Sequence, residues 1–206
     1  FFFLVLPFIY WSIDAGLGMR VAFGLIASVS LNSYFKLWFV GPRPYWVSGN
    51  VQGLSAETSF GVPSGHAQNA MAVWGIIAAR IGKRVAWMLA ITLAFLIGFS
   101  RLYLGVHFVH DVLAGWALGA AVLWGVLRFW DPVAAWLKSK TVTSQISLAF
   151  VMSLVMIALG YASAARLDGY IFPEEYRVNA LRASDELPAP ASLETIVTSA
   201  GTFFGL

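Results

Sequence analysis

Three groups of polar residues in this chain have types and spacings suited to chemistry on an anion. One is Ser100-Arg101, followed by His107 and Asp111. The last two stand four apart at a helix start, on one helical face and within hydrogen-bonding reach. A carboxylate that accepts one imidazole N–H fixes the tautomer and leaves the other ring nitrogen free to act as base or nucleophile. The same pair could instead be a polar bridge between helices. A second group, Pro63-Ser64-Gly65-His66, opens a short apolar helix. Free N–H groups at a helix start, a hydroxyl and a glycine open to close approach make an anion site with His66 beside it. The plain alternative is a helix cap and a turn. The third group is Lys36 with Arg43-Pro44. Alone, Lys36 could snorkel from about one turn inside its helix end, and Arg43 could be an ordinary interfacial arginine.

The elements that must position these groups follow from composition. Of 206 residues, 59% are hydrophobic, 16% aromatic and only 11% charged. A soluble domain carries roughly 25% charged residues, and one core of this size cannot hide so much apolar surface. The chain therefore reads as a single all-α membrane domain over 1–206. A helix needs about 20 apolar residues to cross the hydrocarbon core. Residues 21–40, 85–103, 109–130 and 146–164 satisfy this, and 66–79 reads as a shorter apolar helix whose polar first turn faces a cavity. Both ends are expected to be cut within apolar runs, 1–11 being the tail of a spanning helix rather than a signal peptide. Six or seven spans result.

Orientation follows from the basic residues. Arg80, Lys83 and Arg84 share one connection, Arg128, Lys138 and Lys140 flank another, and Arg20 falls on the same side. That side is expected to be cytoplasmic, which sends all three polar groups to the outer face. An acidic, proline-containing segment at about 165–194 reads as an exposed outer loop, and Trp46, Trp130 and Trp136 as interfacial rings. Gly115 and Gly119 read as a close helix contact. With no cysteine, disulfides and thiolate chemistry are excluded. The net charge of +3 comes without a basic tract, so nucleic acid is not an expected partner.

Ionisable groups at membrane depth cost about 2.5–3.5 kcal/mol each on insertion scales, so their convergence on one face needs a reason. Cations and N–H groups aimed at one spot suit a phosphoryl group in transit, with two histidines available as nucleophile and acid. In order and spacing, Lys36…Arg43-Pro44, Pro63-Ser64-Gly65-His66 and Ser100-Arg101…His107…Asp111 resemble the three signature motifs of the type 2 phosphatidic acid phosphatase superfamily. That superfamily includes lipid phosphate phosphatases, undecaprenyl pyrophosphate phosphatases and vanadium haloperoxidases.

The resemblance spans 36–111 and implies a catalytic set of His107, His66 and Asp111. His107 would attack phosphorus to form a phosphohistidine, Asp111 would orient it, and His66 would protonate the leaving group before water cleaves the intermediate. Lys36, Arg43, Ser64, Gly65 and Arg101 would bind phosphate oxygens, with no metal or other cofactor. The implied protein is a bacterial cytoplasmic-membrane phosphatase. It would act at the outer face on a lipid phosphate or diphosphate such as undecaprenyl pyrophosphate or a phosphatidic-acid-like lipid, with membrane lipids as its other partners. A phosphotransferase and a non-catalytic lipid-phosphate binder are the alternatives; several spans argue against a peroxidase. His110 reads as an interfacial or supporting histidine, and Glu57 and Asn50, in the outer loop, stay outside the candidate site.

Overall fold

The structure, a computed structural model, describes residues 14–184 and 186–206. The expected helix tail at 1–11 lies outside them. The first described helix, α1 (Ala15–Phe39), starts where the Asp14 side chain accepts the Leu17 N–H at 3.1 Å. It stops at Val40, which takes a left-handed φ of 52°, costly for a β-branched residue. The following Gly41-Pro42-Arg43-Pro44 cannot continue the helix, because Pro42 and Pro44 lack the N–H it needs. A single helical turn at Pro44–Val47 begins the loop that leads to α2 (Gly65–Ile81), which ends on Gly82 at φ 69°.

Next come α3 (Arg84–Tyr103), α4 (Val109–Lys138) and α5 (Val142–Ala165), the last capped by the Thr141 hydroxyl. Four helices, α1, α3, α4 and α5, are long and apolar enough to cross a membrane. The 17-residue α2 is the short apolar helix expected from 66–79. The final helix, α7 (Glu194–Gly205), has only twelve residues, about 18 Å against a hydrocarbon core of about 30 Å. So where six or seven spans were expected, the described residues hold four by length and composition, with α2 and α7 as shorter apolar companions.

The short helix α2 is the centre of the bundle, packed against α1, α3 and α4, while α7 fits against α1 and α5. Gly115 and Gly119 let α4 lie directly on α2: a β-carbon at either would run into the Ser64 or Gln68 carbonyl. Around this core the large apolar side chains face outward, among them Met88, Leu89, Phe95 and Phe99 on α3 and Phe150, Val151 and Leu154 on α5. Such a surface suits lipid rather than water.

One end of the bundle is tied by surface ion pairs, Arg80 to Asp14 at 2.8 Å and Arg20 to Asp131 at 2.7 Å. The polar motifs lie at the other end, where a second apolar core of Tyr45, Trp46, Phe60, Val106 and Ala180 holds their loops. Here Trp46 differs from the expected interfacial ring. It is fully buried, edge-on to Phe60 and Phe172, because the loops fold over it. The segment read as an outer loop also contains a helix, α6 (Glu174–Ser184), whose Asn179 amide donates to the Trp46 carbonyl at 3.0 Å.

Candidate active site

Two helix starts meet at this end. The Ser64 N–H, just before α2, donates to the Asp111 carbonyl in the first turn of α4 at 2.9 Å. Asp111 Oδ2 accepts the Phe108 N–H at 2.9 Å and lies 3.2 Å from His107 Nδ1. The carboxylate thus closes the start of its own helix and fixes the imidazole above it. Gly61 leaves room for this, since a β-carbon there would press on Asp111 and on the Pro42 carbonyl. The other oxygen, Oδ1, is buried without a hydrogen-bond partner. His110 Nε2 stands 3.0 Å from it but is not aligned to donate, its exposed ring being stacked on Phe108.

His107 Nε2 points the other way, to Arg43 Nη1 at 3.3 Å. Arg43 is completely buried and stitches three strands of chain together. Its Nε donates to the Ser59 carbonyl at 2.7 Å, Nη1 to that of Val106 at 3.0 Å and Nη2 to that of Phe60 at 3.2 Å. Lys36 reaches the same loop from α1, its Nζ donating to Ser59 Oγ at 2.8 Å. It is buried rather than snorkelling.

These side chains border a cavity of about 280 Å³ that includes Lys36, Glu57, Ser59, Gly65, His66 and His107 in its wall. A larger hollow of about 410 Å³ lies under residues 166–170 and contains no motif residue. We assign the chemistry to the smaller one, where the titratable groups converge. The cavity continues down α1 through Ser33 and Asn32 to Val29 and is closed on the far side by Pro190, Ser192 and Thr195. Beneath it Asn32 donates to Pro63 O and Gln68 Oε1, and Gln68 to Ser28 O, a buried amide network that pins α2 to α1.

Of the eight residues singled out in the sequence, Lys36, Gly65, His66 and His107 line the cavity, and Arg43 and Asp111 contact His107. Ser64 lies fully buried at the start of α2, its hydroxyl without a partner and not used as a cap. Arg101 is not among the residues that line the cavity, though its charge acts on His66; its Nε lies 3.3 Å from Ser100 Oγ.

Glu57, set aside in the sequence, is part of the cluster. Its Oε2 lies 3.4 Å from Arg43 Nη2 and its Oε1 3.8 Å from His66 Nδ1. Ser59, which holds both Lys36 and Arg43, was not legible either. Its only sequence signal is its place in a polar loop between two motifs.

Electrostatics follow from this packing. Burial pushes the His107 imidazole down to about 4; Asp111 opposes this, while the Arg43 and Lys36 cations add to it. His107 is therefore neutral at neutral pH, with the proton placed on Nδ1 by Asp111. Burial works against the Glu57 carboxylate, but the Arg43 and Lys36 cations, joined by His66 and His107 once these are protonated, outweigh it and hold Glu57 below the usual carboxylate range. Among the described residues no three histidine, aspartate or glutamate side chains group to hold a metal ion.

The fold and site define a helical membrane protein in which a neutral histidine, oriented by a buried carboxylate, shares an anion-sized cavity with a second histidine and fixed cations. Comparison with known proteins gives this class a family. The PAP2 superfamily matches residues 17–135, more than half of the chain and all three polar groups, and the chain belongs to it. It is 37% identical over 131 residues to phosphatidylglycerophosphatase B of Bacillus subtilis (strain 168), covering 59% of this chain and 61% of that one. Glucose-6-phosphatase 3 of Mus musculus is 32% identical over 133 residues, covering 52% and 38%. The crystal structure of the first transmembrane PAP2 type phosphatidylglycerolphosphate phosphatase from Bacillus subtilis matches with a TM-score of 0.51 at 33% identity, over 61% of this chain and 64% of that one. The chain thus spans less than two thirds of the length of each of these relatives.

Proposed function

We propose that this protein is an integral membrane phosphatase that hydrolyses a lipid phosphate or diphosphate through a phosphohistidine, at the outer face of a bacterial cytoplasmic membrane. The observation that carries the reading is the His107–Asp111 pair at 3.2 Å, with the other imidazole nitrogen beside Arg43 at the edge of the cavity. Similarity to a phosphatidylglycerophosphatase supports the lipid class. So does the placement of the site at one end of spanning helices, where a head group reaches the cavity while its tail stays in the bilayer. The basic residues gathered at the opposite end favour an outward-facing site.

In this mechanism the lone pair of His107 Nε2 attacks phosphorus as the bond to the leaving oxygen breaks. His66 gives that oxygen a proton, and Asp111 keeps the Nδ1 proton in place while positive charge develops on the ring. Water, deprotonated by His66, then attacks the phosphohistidine; the P–N bond breaks and its electron pair returns to Nε2. Lys36, Arg43, the Gly65 N–H and the Ser64 hydroxyl stabilise the equatorial oxygens, with Arg101 as a more distant cation. Glu57 faces the Nδ1 side of His66 at 3.8 Å, and its negative charge favours the imidazolium form of that ring, whose Nε2–H is the proton to be transferred.

The test is phosphate release by the purified protein from undecaprenyl pyrophosphate, phosphatidic acid and phosphatidylglycerol phosphate, with glucose 6-phosphate as the soluble comparison. Release from a lipid that is lost in His107→Ala supports the proposal. Release from glucose 6-phosphate alone overturns the lipid class.

A further inference from the structure

We propose that Arg166, held over Trp38 at the hollow under residues 166–170, is a capture site for the phosphate head group of a membrane lipid before it enters the catalytic cavity. The inference rests on the lipid phosphatase reading. The Arg166 Cζ lies 3.8 Å from the centroid of the Trp38 ring, a close cation–π contact. Trp38 is itself more than half exposed at the end of α1 and fixed by its Nε1–H, which points to Ser163 Oγ at 3.4 Å. The guanidinium is thus pinned at the level where a spanning helix meets the head groups. Among the described residues no carboxylate stands within 4.0 Å of Arg166 and none of its side-chain N–H groups meets a protein acceptor. A planar fork of donors, held in place and facing an open hollow of about 410 Å³, suits a lipid phosphate.

Position links this hollow to the chemistry. Lys36, Leu37 and Trp38 are consecutive on α1, so they fan round it by about 100° each. Lys36 faces the catalytic cavity, Trp38 faces outward under Arg166, and the buried Leu37 is a wall common to both hollows. Lys36 and Trp38 thus stand on nearly opposite sides of α1, and a head group on Arg166 is at least one helix width, roughly 10–12 Å, from Lys36. Asp168 lines the same hollow and repels an anion, so it sets how briefly the head group stays.

The full chain is reconstituted in phosphatidylcholine vesicles and assayed on two substrates: long-chain phosphatidic acid in the same bilayer, and dihexanoyl phosphatidic acid dissolved in water. The readout is the ratio of kcat/KM for the bilayer substrate to that for the dissolved one. Arg166→Ala lowers this ratio about fivefold, through KM, as expected for one arginine acting on an anionic head group at the surface. Asp168→Asn raises it. An unchanged ratio in Arg166→Ala, including an equal fall on both substrates from a general folding defect, overturns the capture site while leaving the phosphatase reading intact. A wild-type protein that releases phosphate from neither substrate, nor from undecaprenyl pyrophosphate or phosphatidylglycerol phosphate, overturns both.

Discussion

The Asp111 carbonyl accepts the Ser64 N–H at 2.9 Å, so the starts of α2 and α4, where His66 and His107 stand, are tied in one register. Gly115 and Gly119 continue the same seam for two further turns of α4, meeting the Ser64 and Gln68 carbonyls in turn. The spacing between His66 and His107 thus depends on backbone contact rather than on side-chain packing.

A side chain in that seam has to push α4 off α2. Gly119→Leu is expected to destabilise the protein by about 1–3 kcal/mol or more, the usual cost of overpacking. Thermal unfolding in detergent shows this as a lowered Tm, together with lost activity. A variant with unchanged Tm and activity would show that the helices do not touch there.

Asp111→Asn keeps the shape but loses the charge that sets the His107 tautomer. A fall in kcat of about 10³–10⁴-fold is expected, by analogy with the same change in a serine-protease triad. KM changes little, because the carboxylate is buried behind the imidazole. Steady-state kinetics on a lipid phosphate separate the two parameters.

Ser64 gives opposite signs for stability and activity. Its hydroxyl is buried without a partner among the described residues, so Ser64→Ala removes an unsatisfied group and leaves Tm equal or higher. If that hydroxyl donates to a phosphate oxygen, as proposed, the same change lowers kcat/KM about 10²–10³-fold. A lowered Tm with full activity would contradict the role.

The three polar motifs were legible because each is short in sequence. His107 and Asp111 meet as expected, though His107 lies before α4 rather than on a shared helical face, and the Asp111 carboxylate reaches back to it past the helix start. The apolar runs also showed the helices, since little else can make 20 consecutive apolar residues. Glu57 and Ser59 escaped for the opposite reason. They reach Arg43 and Lys36 from a loop without periodicity, across separations of 14 to 23 residues. The burial of Trp46 was hidden in the same way, because its cover is α6, more than a hundred residues further on.

Glu57→Gln tests the loop's contribution directly. If Glu57 holds His66 for proton transfer, kcat on an alkyl phosphate falls at least tenfold, a part of what a general acid contributes. On p-nitrophenyl phosphate, whose leaving group departs without a proton, the effect should nearly vanish. An equal loss on both substrates would reduce Glu57 to a structural support.

The imidazole of His107 should titrate far below its ordinary value. Its pKa of about 4 means the ring is neutral through the physiological range and gains a proton only as pH falls well below 5. Carbon-13 and proton shifts of the three histidines in micelles, with the His107 signal assigned by its loss in His107→Ala, follow this directly. A midpoint near 6.5 would contradict the buried, cation-flanked environment.

The central claim is that His107 carries the phosphoryl group. Protein incubated briefly with lipid phosphate labelled at phosphorus in the presence of EDTA, then quenched in alkali, should hold label that is stable to base and lost in acid. The label should map to His107, and both it and phosphate release should disappear in His107→Ala. Release that continues in that variant, or turnover with no label trapped on histidine, would contradict the account.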